Sequence, residues 1–397
     1  MIPQTTELTH PQADGLRGLD APESAALVCA GQPFPAPLRA AAARAEILLV
    51  QVTPTDRVEP TDQLDGHGAV TISHTGPSPF YASDIDLVLR SNGVRTLYVC
   101  GDPVAGMRLA YDAQRKGYRA VLVRAGNAPA DVLGLRMPQI SQAELTGQLA
   151  GTAPGARNWH EAVKAERMAR PFAARLEPTR TALLMIDVLN DFCAEDGVIA
   201  KTKAAMPRVT EALPRIRTLL EGARAAGAHV LHVQAIYGPM FRGQGSPYRY
   251  PSTQTREGAV WCASAADITG AAPAFDPTMV EVCREGTWGA DFVEGMGPVE
   301  GETVIRKHRY SAYLDTALDA ELRRRGIETV VLAGVTTNCC VESTARDLAM
   351  SDYDTVIAED CVAVKDLVLP LHDASIEQIR TYFGIVTPSD RILDAWH

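Results

Sequence analysis

Short apolar, β-branched segments alternate with amphipathic segments along the chain. In the C-terminal half the predicted strands are TALLMID, AHVLHVQ, TVIRKH, ETVVLAG and DTVIAED, with helices predicted between them. In the N-terminal half the predicted strands are AALVCA, AEILLVQV, GAVTIS, RTLYVCG and RAVLVRAG. Nearly continuous apolar strands separated by helices are typical of a parallel sheet that is covered on both faces. The pattern therefore predicts an α/β fold of three-layer α/β/α domains with mostly parallel sheets.

The two halves of the chain also share sequence. An offset of 233 residues, which aligns Gly101 with Gly334, gives seven identities without a gap across residues 74–101. An ordinary α/β pattern would match apolar positions but would not keep the glycines in register. We therefore predict an internal duplication, with one domain at residues 1–150, a polar, proline-containing linker at 151–178 and a second domain at 179–397.

Composition limits the partners and the compartment. The 397 residues carry a net charge of −10 without a run of basic residues, which argues against nucleic acid as a partner. No apolar segment is long enough to span a bilayer, and the N-terminus lacks the pattern of a signal peptide. The eight cysteines are scattered and form no CxxC pair, which fits a reducing compartment. We expect a cytoplasmic protein without a membrane partner.

The segment VVLAGVTTNCCVESTARDL, residues 330–348, places a thiol where a buried strand turns into a helix. The predicted strand ends at Gly334, and the helix is predicted to begin near Cys340. Unpaired N–H groups and the positive end of the helix dipole would lower the pKa of a thiol at this place and could hold an oxyanion. The alternative is that the cysteines are small residues that fill a crowded turn.

Two charged residues end other predicted strands. Asp187 closes TALLMID, and Lys307 lies at the end of TVIRKH. Because the carboxyl ends of parallel strands meet at one rim of a sheet, both side chains are expected to lie close to Cys340. Taken alone, Asp187 could be a helix cap or an ion-pair partner, and Lys307 a solvated charge.

These segments resemble the isochorismatase-like cysteine hydrolases over residues 179 to about 390. The three motifs are DVLNDF (187–192), KHRYSAY (307–313) and GVTTNCCV (334–341). The resemblance implies that Asp187 is the general acid and base, that Cys340 is the nucleophile and that Lys307 stabilises the charges. Many members have glutamine two residues after the aspartate, where this chain has Leu189. That difference is expected to alter the pocket floor and leave the triad intact.

The resemblance also implies a cis peptide bond between Val335 and Thr336. This bond would direct the Thr336 N–H, together with that of Cys340, at the oxyanion of the reaction. Cys339 is the residue most easily mistaken for the nucleophile. In the family pattern the reactive cysteine directly precedes the valine, which here is Val341, and this favours Cys340.

A long segment, residues 235–303, separates two strands of the C-terminal half and has no counterpart of similar length in the N-terminal half. Long irregular segments beside strand ends commonly line binding pockets, although a decorated surface loop is the alternative. The predicted substrate-binding residues in and around this segment are Gln234, Arg242, Trp288 and Tyr313.

The sequence argues against a metal centre. Nicotinamidases of related fold resemble one another in an Asp-x-His arrangement after the second strand, and HVQAIYGP, which begins at His232, contains no such arrangement. We predict that His232 belongs to the core and that the protein uses no metal and no other cofactor.

The N-terminal half lacks the same chemistry. At the positions of the ammonium, the thiol and the carboxylate it has, respectively, His74, Met107, and Ala30 or Gly31. We predict a degenerate, non-catalytic copy, although His74 could still reach the active site across a domain interface. A fused copy could replace one subunit of a dimer, so we expect an intrachain pseudo-dimer that forms homo-oligomers.

The predicted reaction follows from the cysteine. The resemblance implies cleavage of a carbon–nitrogen bond in a small amide or ureide through a thioester intermediate. The flanking segments TWGADF and VTTNCCVESTARD are most similar to those of ureide hydrolases. Two alternatives are an amidase for a small carboxylate-bearing amide of the maleamate type, and a non-catalytic binding or scaffold protein derived from a hydrolase.

Overall fold

Fully buried strands at the centre of each half organise the fold in a computed structural model of the protein. The residues that the structure describes are 25–45, 47–55, 69–75, 78–81, 83–125, 137–151, 165–201, 207–237, 282–364 and 369–397. The strands of the first sheet are β1 (Ala25–Ala30), β2 (Leu48–Pro54), β3 (Ala69–His74), β4 (Thr96–Gly101), β5 (Arg119–Arg124) and β6 (Gln139–Ser141). The strands of the second sheet are β7 (Thr181–Ile186), β8 (His229–Ala235), β9 (Thr303–Lys307), β10 (Thr329–Val335), β11 (Asp354–Ala363) and β12 (Ile385–Thr387).

Helices connect these strands in both halves. Those of the first half are α1 (Ala36–Arg44), α2 (Ile85–Ser91), α3 (Pro103–Arg115) and α4 (Gln142–Ala150). Those of the second half are α5 (Phe172–Arg175), α6 (Asn190–Cys193), α7 (Val198–Lys201), α8 (Pro207–Ala226), α9 (Leu318–Arg324), α10 (Glu342–Ala349), α11 (Leu369–Gln378) and α12 (Ser389–Trp396). No helix among these described residues is both long and apolar enough to cross a membrane.

Both sheets have the same strand order. The first runs β3-β2-β1-β4-β5-β6, the second runs β9-β8-β7-β10-β11-β12, and the neighbouring strands pair in parallel. The α/β fold with two mostly parallel sheets is confirmed. The shared order is also what the predicted duplication requires. The edge strands β6 and β12, of three residues each, were not predicted, because so short a segment carries no hydrophobic period.

The central strand β7 shows why these residues form a two-faced sheet. Its six residues are all buried, and alternate side chains point to opposite faces. Leu183 and Met185 join the hydrophobic cluster on one face, whereas Leu184 and Ile186 join the cluster on the other face. Apolar side chains are needed at every position of such a strand, and the sequence TALLMI supplies them.

Gly101 and Gly334 occupy equivalent places at the ends of β4 and β10. Both have positive φ angles, 106° and 119°. A Cβ atom would lie 2.3 Å from the Ala30 carbonyl oxygen at Gly101 and 2.0 Å from the Ile186 carbonyl oxygen at Gly334. No side chain fits at such a distance, so both halves need glycine where the fourth strand passes the first.

The chain divides into two units, Met1–Glu166 and Arg167–His397. The boundary between them falls inside the segment 151–178 that the sequence predicts as a linker, of which residues 152–164 lie outside the described part of the chain. Each unit has hydrophobic clusters on both faces of its own sheet.

Candidate active site

Asp187 follows the central strand β7 directly and is fully buried. Its backbone has a φ angle of 51°, and its N–H donates to the Val233 carbonyl at 3.2 Å. The carboxylate oxygen Oδ1 accepts a hydrogen bond from the backbone N–H of Ala235 at 3.0 Å. The neighbouring strand β8 therefore holds the carboxylate in one orientation at the rim of the sheet.

Lys307 is the last residue of β9, and its side chain is also fully buried. Its Nζ lies 2.8 Å from Asp187 Oδ2 and donates to the Arg309 carbonyl oxygen at 3.0 Å and to Cys340 Sγ at 3.4 Å. Burial by itself lowers the pKa of Lys307, but the Asp187 carboxylate and Cys340 raise it by more than burial lowers it. The pKa therefore lies above its ordinary value. The side chain is an ammonium that bridges the other two groups.

Cys340 lies in the connection between β10 and α10. The strand ends at Val335, the peptide bond between Val335 and Thr336 is cis, and residues Thr337–Val341 form a single π-helical turn. The predicted helix therefore starts close to Cys340, within this turn. The Cys340 carbonyl accepts a hydrogen bond from the Thr344 hydroxyl at 2.6 Å, which ties the turn to α10.

The pKa of the Cys340 thiol lies well above its ordinary value, because burial disfavours the thiolate and the Asp187 carboxylate repels it. The Lys307 ammonium acts in the opposite direction. The expectation that the helix terminus lowers this pKa is wrong, because the thiol is only 2% exposed and desolvation dominates. At rest the site thus contains a neutral thiol beside a carboxylate and an ammonium.

The structure therefore brings Asp187, Lys307 and Cys340 into contact. A carboxylate next to a neutral thiol can accept its proton, and an ammonium next to the sulfur stabilises the thiolate that forms. Cys339, by contrast, is half-buried and packs at the edge of a hydrophobic cluster. The arrangement is suited to a thiol that is deprotonated at the moment of attack.

The segment that follows Lys307 is anchored to α10. Ala312 donates its N–H to the Thr344 hydroxyl at 2.9 Å, and the Ser311 hydroxyl donates to the Asp347 carboxylate. Tyr313 donates its N–H to the Ser311 hydroxyl at 3.1 Å, and its half-buried ring packs at the edge of the hydrophobic cluster that contains Cys340. Tyr313, a predicted substrate-binding residue, is therefore held near the site through its backbone.

The other predicted substrate-binding residues are placed differently. Gln234 donates from its Nε2 to the Ala290 carbonyl at 2.8 Å, so it supports the short 3-10 helix Trp288–Ala290. Trp288 is 52% exposed, and its carbonyl accepts a hydrogen bond from the Asn190 side chain at 2.8 Å. Arg242 lies outside the described residues. Gln234 thus acts on the segment that carries Trp288.

Asp191, in the motif DVLNDF, also holds this segment. It is buried, and its carboxylate accepts the N–H of Cys283 at 2.7 Å and that of Val198 at 3.2 Å. At Gly289 a Cβ atom would lie 2.1 Å from the same carboxylate. The second acidic residue of the motif therefore fixes the segment that carries Trp288, and Leu189, two residues earlier, is fully buried in the core.

His232 is buried in the core, as predicted. Its Nε2 lies 2.8 Å from the carboxylate of Glu302, which also binds the Arg224 guanidinium through two hydrogen bonds. Within the described parts of the chain, no group of three or more His, Cys, Asp or Glu side chains could hold a metal ion. The use of no metal and no cofactor stays a prediction.

Sequence reasoning missed two residues that interact with the triad or with the turn that carries Cys340. Tyr237 is the second residue after β8 and is buried, and electrostatic interactions link its hydroxyl to Asp187 and Cys340. His372 of α11 lies 2.9 Å through its Nδ1 from the hydroxyl of Thr337, the buried residue that follows the cis peptide bond. The signal for Tyr237 was its place at a strand end. No local pattern pointed to His372, which is 35 residues from its partner in sequence.

The first unit has other residues at the corresponding positions. Gly31 follows β1 with a φ angle of 69°, as Asp187 follows β7 with a positive φ. His74 is the last residue of β3 and is buried, and Met107 lies within α3. No carboxylate, ammonium or thiol stands at these positions.

Comparison with known proteins assigns the second half of the chain to a family. A family model described as the isochorismatase domain matches residues 181–391, more than half of the chain. Ureidoacrylate amidohydrolase RutB of Methylobacterium radiotolerans is 31% identical over 222 residues, which cover 55% of this chain and 80% of that protein. The protein of the same name from Acinetobacter baylyi is 28% identical over 231 residues, covering 57% of this chain and 88% of its own length.

Among solved structures, an isochorismatase-like hydrolase from Alkaliphilus metalliredigens is 27% identical and aligns with a TM-score of 0.40. The alignment covers 55% of this chain and 99% of that protein. The family match, together with the relative at 31% identity, establishes the membership: the chain belongs to the isochorismatase family.

Proposed function

We propose that this protein hydrolyses a small ureide through a covalent intermediate on Cys340, with Asp187 as general acid and base and Lys307 as the stabilising cation. As a member of the isochorismatase family with amidohydrolase relatives, the chain is a hydrolase of carbon–nitrogen bonds in small amides or ureides. One observation supports the finer proposal most strongly. The Lys307 ammonium nitrogen contacts both the Asp187 carboxylate, at 2.8 Å, and the Cys340 sulfur, at 3.4 Å.

In the first half of the proposed reaction, the Asp187 carboxylate takes the proton of the Cys340 thiol as the sulfur attacks the substrate carbonyl carbon. The carbonyl oxygen becomes an oxyanion. When this intermediate collapses, the carbon–nitrogen bond breaks, and the protonated Asp187 gives its proton to the leaving nitrogen. Ammonia or an amine departs, and the remaining acyl or carbamoyl group stays bound to sulfur as a thioester.

In the second half, water attacks the thioester carbonyl, and Asp187 takes one of its protons. Collapse of the new tetrahedral intermediate breaks the carbon–sulfur bond. The sulfur recovers its proton from Asp187, and the acid or carbamate leaves. Asp187 thus accepts a proton and then donates one in each half of the reaction. These transfers require the fixed orientation that the Ala235 N–H gives to its carboxylate.

The raised pKa of the thiol agrees with this role for Asp187. A thiol that is neutral at rest needs a base at the moment of attack, and the Asp187 carboxylate, which contacts the same ammonium as the sulfur, is proposed as that base. Lys307 limits the cost of the thiolate because its ammonium lowers the pKa of the same sulfur. We propose that the backbone N–H groups of Thr336 and Cys340 hold the oxyanion, with the cis bond at Val335 directing the former.

A ureide is proposed as the substrate because the curated relatives are named ureidoacrylate amidohydrolases. Trp288 and Tyr313 could cover a flat polar molecule of that kind, and Arg242 could pair with a carboxylate. Gln234 would act indirectly, by positioning the segment of Trp288. The first unit is proposed to be a non-catalytic copy, and association into homo-oligomers also stays a proposal.

The test is ammonia and amine release from a panel of ureides, carboxylate-bearing amides and simple amides. Wild-type protein is compared with Cys340→Ala and with Cys339→Ala, the matched control one residue away. We expect release from a ureide by the wild type and by the Cys339 variant, and a loss of at least about 10³-fold in Cys340→Ala. Preference for a carboxylate-bearing amide would replace the ureide assignment, and equal release by all three proteins would refute the nucleophile.

A further inference from the structure

Tyr237 is held rigidly at the rim of the second sheet. Its backbone N–H donates to the Cys283 carbonyl at 2.9 Å, and its carbonyl accepts the N–H of Glu285 at 2.9 Å. The preceding residue, Ile236, donates its N–H to the Lys307 carbonyl at 3.1 Å. The backbone that carries the Tyr237 ring is therefore fixed on both sides.

The Tyr237 hydroxyl has no hydrogen-bond partner among the described residues, although the residue is only 3% exposed. A buried polar group without a partner costs about 1–3 kcal/mol, and few such groups occur in folded proteins. Phenylalanine would fill the same space without this cost. The hydroxyl is therefore expected to have a partner that is not part of the resting protein.

The groups around the Tyr237 hydroxyl indicate where its missing hydrogen-bond acceptor would lie. Burial raises the pKa of Tyr237 well above its ordinary value, and the neighbouring Asp187 and Cys340 raise it further. The phenol is thus a neutral O–H donor within electrostatic range of the catalytic carboxylate and sulfur. A molecule that reacts with Cys340 would come close to it.

Two other buried tyrosines show the contrasting case, in which the phenol serves the fold. The Tyr118 hydroxyl donates to Asp86 at 2.7 Å, and the Tyr353 hydroxyl donates to Asp319 at 2.9 Å. Each hydroxyl has a protein acceptor that takes no part in the proposed reaction. Tyr237 differs from both in the missing acceptor and in its place beside the triad.

We propose that Tyr237 is a substrate-binding residue whose hydroxyl donates a hydrogen bond to an oxygen or nitrogen acceptor of the amide or ureide, and so holds its carbonyl carbon against Cys340. This inference rests on the proposed function. It assigns to the site a polar contact that neither the motifs nor the predicted substrate-binding residues include. Because the donor is neutral and fixed, it selects substrates with an acceptor at that position.

The experiment compares Tyr237→Phe with Tyr353→Phe, each of which removes one buried hydroxyl and keeps the ring. For Tyr237→Phe we expect kcat/KM on the best ureide to fall by about 10- to 100-fold, the range of a buried hydrogen bond to substrate, with Tm unchanged or raised. For Tyr353→Phe we expect Tm to fall by about 2–4 °C, because Asp319 loses a partner, and kcat/KM to stay within about twofold. A kcat/KM for Tyr237→Phe equal to that of the wild type would overturn the inference.

A binding measurement separates this inference from the proposed function. Calorimetry with Cys340→Ala protein, which forms no covalent intermediate, is performed on the same panel with Tyr237 intact and with Tyr237→Phe. We expect a Kd at least about tenfold weaker for the double variant. Equal Kd values, or no binding to the protein with Tyr237 intact, would overturn the role of Tyr237. Undiminished turnover by Cys340→Ala would instead overturn the nucleophile alone.

Discussion

The Lys307 ammonium nitrogen lies 2.8 Å from the Asp187 carboxylate, and neither side chain reaches solvent. A buried ion pair of this kind is costly to desolvate and contributes little net stability, but the loss of one partner leaves an unpaired buried charge. Such a pair is therefore better explained by chemistry than by folding. Asp187 follows β7 and Lys307 ends β9, and these two strands do not neighbour each other in the sheet.

This pair predicts a specific pattern in a double-mutant cycle. Asp187→Asn and Lys307→Met are each expected to lower the free energy of unfolding by about 3–5 kcal/mol, because each leaves one charge buried. The double variant is expected to be more stable than either single variant, since its pair is neutral. All three should lose at least about 10²-fold in kcat/KM. Denaturant unfolding measures the cycle, and destabilisation that simply adds would contradict it.

The reactivity of the Cys340 thiol is predicted to follow the charges around it. Asp187 raises its pKa and Lys307 lowers it, so Asp187→Asn should increase the thiolate fraction at a given pH and Lys307→Met should decrease it. Iodoacetamide labelling between pH 7 and 10, read by peptide mass spectrometry, measures this fraction. Cys361, which is buried and has a pKa raised to about 12, is the internal control and should label slowly in every variant. Slower labelling of Cys340 in Asp187→Asn would contradict the assignment.

Gly334 is predicted to tolerate no side chain. Its φ angle is 119°, and a Cβ atom would lie 2.0 Å from the Ile186 carbonyl oxygen, just before Asp187. Gly334→Ala should lower the free energy of unfolding by about 3 kcal/mol or more and displace the turn Thr337–Val341, which carries Cys340. Gly147→Ala in α4 is the matched control, because a Cβ atom there meets nothing within 4 Å. That change should stabilise the protein by about 0.5–1 kcal/mol. Equal Tm values for the two variants would count against the close approach.

His372 is predicted to position the turn that carries Cys340 through its contact with Thr337. His372→Ala should lower kcat/KM by about tenfold, whereas His372→Asn, which keeps a polar atom near the position of Nδ1, should restore most of it.

The pKa of His372 also predicts a dependence of stability on pH. Burial lowers this pKa, Asp373 raises it and Arg208 lowers it. Because the folded pKa is depressed, the stability that the neutral ring contributes is present above about pH 6.5 and is lost as the pH falls through the folded pKa. Wild-type Tm should accordingly drop more than that of His372→Asn between pH 7 and 5. Parallel curves of Tm against pH for the two proteins, together with full activity of His372→Ala, would refute the positioning role of His372.

The sequence predicted the parts of the site that depend on strand ends. Asp187 and Lys307 close buried apolar segments, and the carboxyl ends of parallel strands meet at one rim, so their proximity to Cys340 follows from topology. The equivalence of Gly101 and Gly334 was predicted from the gapless 233-residue offset between the two halves, and the structure shows its physical reason, the close approach of the fourth strand to the first. These features depend on local pattern and on a fold rule, both of which can be recognised in a single sequence.

Other features depend on contacts between distant residues and could not be predicted. The direction of the Cys340 pKa shift follows from burial, which the helix-terminus argument leaves out. Gln234 looked available for substrate because its acceptor, the Ala290 carbonyl, is 56 residues away. Tyr237 was passed over because its orphan hydroxyl is a property of the packed site. In each case a residue's role depends on atoms that the sequence pattern does not bring together.

The most direct test of the central claim is to trap the covalent intermediate. Wild-type protein mixed with its best ureide is quenched in acid within the first turnover, and the peptide that contains Cys339 and Cys340 is examined by fragment mass spectrometry. The account predicts an acyl or carbamoyl group on the Cys340 sulfur that forms at the rate of the first release of ammonia or amine and is absent from Cys340→Ala. A modified Cys339, or full turnover without any adduct in Cys340→Ala, would contradict it.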